Sequence, residues 1–423
     1  MGSARAPSFP GTSRRRVYRR GARTQHPRRT ERGPSGRAGP VTHSSLLFSV
    51  EDESWKRISL TGTQAPSELT LSSRAAPPLR AQSLETTPLR RRHLIAAPLA
   101  LGLPGLAAAQ PAEARQIRIA QQFGLIYLPF IVLREQRLLE GAVRAAGLPE
   151  PEVSWIQVSG GAAMNDALLS GGLDIAAAGV PPFILLWART RANLKVRSLG
   201  ALGSQSIWLN TNRAEVKTIA DFTERDRIAL PAVRVSFQSI VLQMAAEQRF
   251  GPGQHGRLDP ITVSLPHPDA TVQLIGGRTE ITGHFGNPPF QQQQLQHSSI
   301  HKVLDSFDVL GGAHSGNLAY ATGRWHDANP RTAAAFVSAL DLAHRWIREN
   351  RRAAAELYVR AERSPLEVGF IDNILGEAGI NFTAAPERVL AFAEFQQRTG
   401  QIPVKPASWQ ELFFPALHNL AGS

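Results

Sequence analysis

The chain has 423 residues, of which 42% are apolar, carries a formal net charge of +13 and contains no cysteine. That length and apolar content admit two or three domains with ordinary cores and exclude a fibre or a wholly unfolded chain. The lack of cysteine excludes disulfides, thiolate-bound zinc, thiol catalysis and a lipid-anchored cysteine, and is compatible with an oxidising compartment.

The charge sits at one end. Residues 1–92 hold 18 Lys and Arg against 6 Asp and Glu, and residues 93–423 hold 29 against 28. A neutral body has no clustered basic face to match a phosphate backbone, so no nucleic-acid partner is expected. Residues 1–89, rich in Arg, Ser, Pro and Gly, read as a disordered basic extension. It is either a tail for an anionic partner or a stretch outside the mature protein. The reason for the second reading follows at once in "RRRHLIAAPLALGLPGLAAAQ" (90–110). Three arginines, an apolar run interrupted by Pro98 and Pro104, and Ala107-Ala108-Ala109 have the order of an export signal over 90–109. The arginine pair loosely resembles a twin-arginine signal, and the general secretory route is equally open. The mature protein is expected to begin near Gln110, and no later apolar run is long enough to span a bilayer.

From Gln116 short apolar runs alternate with amphipathic ones. "QIRIA" (116–120) is a predicted strand and 129–141 a helix with Pro129 in its first turn and Gly141 past its end. Strand 153–158, helix 162–170 and strand 173–178 follow. After "SIWLN" (206–210) the grammar restarts with strand 227–231, helix 237–250, strand 261–265, helix 269–275 and strand 279–285. Strand 317–322 returns the chain, and the remainder is helical at 331–350, 365–379, 386–400 and 408–420. Ser408 and Glu411 fit a capping box at the last of these, while Trp346, Phe392, Trp409 and Phe413 read as packing. Such alternation implies parallel sheets covered by helices.

Two loops nearly repeat: "GVPPF" (179–183) and "GNPPF" (286–290). Each follows a helix, a Gly pair (171–172, 276–277) and an acid-isoleucine pair (174–175, 280–281). A period of domain size means two lobes of one design. Each Gly pair can end its helix in a left-handed turn, and each Pro pair can start the next helix. Ligands of open α/β sheets lie beyond the carboxyl ends of strands, where both loops sit.

The segments "IAQQFGLIYLPFIVLREQRLLE", "GGAAMNDALLSGGLDIAAAGVPPF", "DRIALPAVRVSFQSIVLQMAAE", "HPDATVQLIGGRTEITGHFGNPPF" and "DSFDVLGGAHSGNLAYAT" resemble the substrate-binding proteins of nitrate/taurine/alkanesulfonate ABC importers, over roughly 115–423. The resemblance implies an α/β, type II periplasmic-binding-protein fold, with lobe 1 from 115–207 and 311–423 and lobe 2 from 208–310. It implies a periplasmic receptor, expected to be monomeric, that closes on a small-molecule ligand and delivers it to an inner-membrane ABC permease. No cofactor or catalytic residue is implied. A related branch that makes thiamine pyrimidine depends on a cysteine-rich motif, which this chain lacks. The rival classes are a periplasmic enzyme or a sensor lobe on the same fold.

Candidate ligand-binding residues follow from the predicted strand ends. Gln122, Phe123, Gly124 and Tyr127 form the turn after the first strand. Gly160 and Gly161 precede a helix, where free N–H groups could hold an oxygen. Val180 and Pro181 belong to the first repeated loop. Val235 and Ser236 precede helix 237–250, with Ser236 either a cap, a ligand contact or both. His284, Phe285 and Asn287 end the second-lobe strand, and His314 with Ser315 lies in "GGAHSGN". Three aromatics in these turns favour a flat organic ligand over a bare oxyanion. "GPGQHG" (251–256) follows a helix and carries Pro252, so it fails as a dinucleotide loop. There is no G-K-[ST] for an ATPase. His297 and His301 lack a nearby acidic third ligand and read as surface, as does the glutamine run 291–294.

Overall fold

The computed structural model describes residues 112–423. The basic extension and the export signal expected over 1–109 lie outside the described residues. In the first strand Ile117 and Ile119 are fully buried while Gln116 is exposed, the period-two pattern that fixes a strand by one apolar face.

The strands are β1 (Gln116–Gln121), β2 (Glu152–Gln157), β3 (Ile175–Gly179), β4 (Arg197–Ala201), β5 (Trp208–Thr211), β6 (Ile228–Leu230), β7 (Thr262–Ser264), β8 (Gly283–Phe285), β9 (His301–Asp305) and β10 (Asn317–Ala321). They form two sheets of five, ordered β2-β1-β3-β10-β4 and β7-β6-β8-β5-β9. The two orders are one pattern written twice. β1, β2 and β3 pair in parallel, as do β6, β7 and β8. Into each sheet one antiparallel strand is inserted: β10 between β3 and β4, and β5 between β8 and β9. The chain thus crosses between the sheets twice, between β4 and β5 and again before β10. The sheets are mixed rather than wholly parallel, and the repeated loops leave the corresponding strands β3 and β8.

Helices cover both sheets. Two apolar clusters dominate. One, around Phe130, Phe336 and Leu340, lies under the Pro330–Glu349 helix. The other runs without a break from Phe183 and Tyr320 to Phe237, Ile240 and Phe392. Each fully buried side chain of this size contributes about 1.5–3 kcal/mol, so the second cluster ties the two halves together. Among the described residues no helix is long and apolar enough to cross a membrane.

Several predicted elements differ. Predicted helix 129–141 is two helices, Leu128–Glu135 and Leu138–Ala145, broken where Arg137 takes a left-handed conformation at φ 51°; Gly141 lies inside the second. The predicted helix 408–420 is two short 3-10 turns, Trp409–Leu412 and Pro415–Leu417, and the Ser408 side chain caps neither. A helix at Arg351–Ala361 was not predicted. The glutamine run is no surface face. Gln291 and Gln294 are at most 1% exposed. Gln291 donates to Ser206 O and accepts from Trp208 N, replacing contacts that the start of β5 lacks.

Candidate functional site

The carboxyl ends of both sheets meet along one seam, and the repeated loops meet it crosswise. Gly179, ending β3, abuts Phe237 at the first turn of the helix after β6; a Cβ on Gly179 would lie 2.6 Å from Phe237 Cβ. Reciprocally, Asn287, in the loop after β8, donates to Phe123 O (3.2 Å) and crowds Gly124 in the turn after β1. Leu125 N donates to Pro288 O at 2.7 Å. Gly124 has φ 124°, a conformation that disfavours any side chain. The loop is repeated because each half uses it to touch the other half's first strand-to-helix connection.

Between these contacts lies a cavity of about 30 Å³ lined by Gln122, Phe123, Tyr127, Gly161, Pro182 and Ser236, and also by Gly179, Pro231, Phe237, Gln238, His267, Asn287 and Asn317. That is room for little more than a water, so nothing larger fits while these contacts are made. Among the described residues the wall has no Lys, Arg, Asp or Glu.

Of the predicted residues, Gln122, Phe123, Tyr127, Gly161, Ser236 and Asn287 line the cavity. Gly160 lies just behind it; its N–H is not free but donates to Gln122 Oε1 at 3.1 Å. Gly124 lies on a neighbouring pocket of about 280 Å³, shared with Phe123, Phe290 and Tyr358. The structure turns the others away. Val180 is fully buried with its N–H on Gly316 O, and Pro181 O accepts from Gln396. Pro182 faces the cavity in their place. Val235 is not on the wall, and Phe285 is fully buried in the core. His284 stands behind the wall, its Nε2 2.8 Å from His267 Nδ1. His314 packs among Phe237, Phe307 and Phe392, with Nε2 2.9 Å from Ser306 Oγ; burial pushes it down to about 4. Ser315 accepts from Glu387 N.

Phe237 and His267 went unread. His267 opens the helix after β7 as Gly161 opens the helix after β2. Extending the internal repeat to these helices would have found it. His267 stacks on Phe290 at 5.8 Å, and burial lowers its imidazole to about 3, so it is neutral at pH 7.

Ser236 is the N-cap of the Phe237–Phe250 helix, and its Oγ accepts from Ser239 N at 3.2 Å. Ser236→Ala is expected to cost about 1 kcal/mol in urea unfolding, as cap losses do. An unchanged midpoint would show that the cap adds nothing to stability. Among the described residues no cluster of three His, Cys, Asp or Glu is placed to hold a metal.

Comparison with known proteins gives three kinds of result. The sequence profile of the NMT1-like family matches residues 110–359. No curated protein matches the chain. Solved structures do: the alkanesulfonate-binding protein SsuA from Xanthomonas axonopodis pv. citri, bound to MOPS, is 16% identical, with 69% of this chain and 96% of that one covered at a TM-score of 0.55. The periplasmic aliphatic sulphonate binding protein SsuA from Escherichia coli is 18% identical over 71% and 98% of the chains, with a TM-score of 0.53. The periplasmic nitrate-binding protein NrtA from Synechocystis PCC 6803 is 16% identical over 71% and 84%, with a TM-score of 0.56. At such identities the likeness shows the fold, a two-lobed periplasmic-binding-protein architecture.

Proposed function

The chain belongs to the NMT1-like family, and from that premise we propose that it is the solute-binding component of an ABC importer. It is exported to the periplasm, closes its lobes (115–207 with 311–423, and 208–310) on one small molecule, and delivers it to an inner-membrane permease. The sulfonate- and nitrate-binding proteins with the same fold support this class of function.

The composition of the wall supports the choice of solute. A bare oxyanion gains most from charge-assisted hydrogen bonds, and among the described residues no cation lines the cavity. Phe123, Tyr127 and Phe237 supply flat faces, while Gln122, Gln238, Asn287 and Asn317 supply neutral polar groups. Such a wall suits an uncharged planar organic solute, with aromatic contacts adding about 0.5–1.5 kcal/mol beyond area burial. Capture works by population shift: a solute that binds only the closed form draws the lobes together.

Native mass spectrometry of freshly purified protein is expected to show one retained small molecule per chain. Re-addition at 100 times its dissociation constant raises stability by about 2.7 kcal/mol, several degrees in a melt. A screen of neutral heterocycles, sulfonates and nitrate that gave no shift, with turnover of any of them, would replace capture by catalysis.

A further inference from the structure

We propose that a directed chain of hydrogen bonds, anchored on a backbone carbonyl, fixes His267 as an Nε2–H donor at the cleft wall. With the unpartnered Oδ1 of Asn287, it selects a solute carrying an acceptor and a donor on one edge. The assignment of solute rests on the cleft being the capture site; the chain itself does not.

The direction follows link by link, because amide and imidazole roles are set by their partners. Asn210 Nδ2 is 2.9 Å from Gln291 O, which only accepts, so Asn210 presents its NH₂ there. The same NH₂ is 3.0 Å from Gln294 Oε1. Gln294 therefore turns its own NH₂ the other way, toward Thr271 Oγ1 (3.0 Å) and His284 Nδ1. An Nδ1 that accepts carries no proton. Burial lowers His284 well below its ordinary range and His267 to about 3, so both rings are neutral and each holds one proton. The His284 proton must sit on Nε2, donating across 2.8 Å to His267 Nδ1. The His267 proton is then left on Nε2.

At that end Gln238 Nε2 lies 3.2 Å away; two N–H donors cannot share a hydrogen bond, so with the proton on His267 Nε2 the Gln238 amide turns over and presents its oxygen. A solute acceptor takes the place of that oxygen when it binds. Asn287 is fixed in the opposite sense. Its Nδ2 donates to Phe123 O, and its buried Oδ1 has no partner. A buried acceptor left unpaired is costly, and a solute N–H recovers that cost. His267 and Asn287 line the same small cavity, so the two complementary solute atoms are close neighbours. A sulfonate or nitrate offers acceptors only and leaves Asn287 unmatched.

The first test needs no solute. Long-range ¹H–¹⁵N spectra of the full chain at pH 7, assigned with His267→Phe and His284→Phe, are expected to show both rings protonated at Nε2. In Gln294→Glu the carboxylate accepts from both Asn210 and His284, so both rings switch to Nδ1–H. A wild-type His267 with its proton on Nδ1, a doubly protonated ring, or no switch in Gln294→Glu overturns the chain. The second test compares 2-pyridone, whose N–H and C=O are adjacent, with methanesulfonate. The expected result is tighter binding of 2-pyridone, weakened at least tenfold by Gln294→Glu, which touches no cavity residue, and by His267→Phe. Binding of 2-pyridone no tighter than methanesulfonate, or indifferent to both variants, overturns the selected edge. Neither outcome bears on whether the purified protein retains a solute, which is the separate test of capture.

Discussion

Gly179→Ala is expected to weaken solute binding by at least tenfold while leaving each lobe folded. The substitution is mild within its own strand, since Gly179 has φ −56° and ψ 154°, which alanine adopts freely. The cost arises across the seam. The new Cβ would lie 2.6 Å from Phe237 Cβ and 3.3 Å from its Cγ, and a Cβ cannot swing aside as a long side chain can. Phe237 is itself held at the first turn of a 14-residue helix. The clash therefore acts on the closed arrangement of the lobes and spares the open one. Closed and open forms of such receptors differ by a few kcal/mol, and each 1.4 kcal/mol lost from the closed form is a tenfold loss in affinity. Calorimetric titration with the retained solute measures the affinity, and small-angle scattering reads whether solute still contracts the protein. Gly276→Ala, where a Cβ meets nothing within 4 Å, is the matched control. Wild-type affinity and contraction in Gly179→Ala would show that closure does not use this contact.

The fold was legible where local pattern suffices. Helix Phe237–Phe250 matches its prediction at both ends because Ser236 caps it and Gly251 stops it within a few residues. The repeated loops exposed the two-lobe design because the period survives in the sequence. What was not legible depends on distant partners. Gln291 looked like surface until β5, 83 residues earlier, supplied its hydrogen bond. Phe285 was placed at the cleft because it ends a strand, yet Gly283, His284 and Phe285 are all buried. A strand covered on both faces gives no alternation from which to choose the outward residue. Arg137 broke a helix without glycine or proline, so no local signal marked the break. His267 stood between Pro266 and Pro268, a setting that reads as a surface turn, and only the internal repeat places it beside Gly161.

Acid is expected to unfold the protein well before its carboxylates are protonated. His284, His314 and His344 are fully buried and His267 is 6% exposed. Burial lowers His267 and His344 to about 3, His314 to about 4 and His284 well below the ordinary value. In the unfolded chain each has a pKa near 6.5. Below that pH the unfolded chain binds protons that the folded one refuses, so the stability these groups contribute is complete above pH 6.5. It falls as the pH drops toward the folded values. Each such histidine removes about 1.4 kcal/mol per pH unit in that window. Four acting together approach roughly 5 kcal/mol per unit, against a total stability of about 5–15 kcal/mol. The half-buried carboxylate of Asp305 is held below its ordinary range despite desolvation, by hydrogen bonds from Ser206, Lys302 and Phe307. It also favours unfolding in acid, but only below the usual carboxylate range. Melting temperatures are thus expected to fall steeply from pH 6.5 to 5, above the ordinary carboxylate range; Glu377, raised by burial, gains stability as it takes up its proton and only partly offsets the fall. His344 isolates one share of the effect, because its ring nitrogens make no well-formed hydrogen bond and only the Leu202 backbone approaches them. His344→Leu keeps most of the buried volume and is expected to reduce the slope of stability against pH by about a quarter. Equal stability at pH 7.5 and pH 5 in the wild type, or an unchanged slope in His344→Leu, would show that these histidines do not govern acid unfolding.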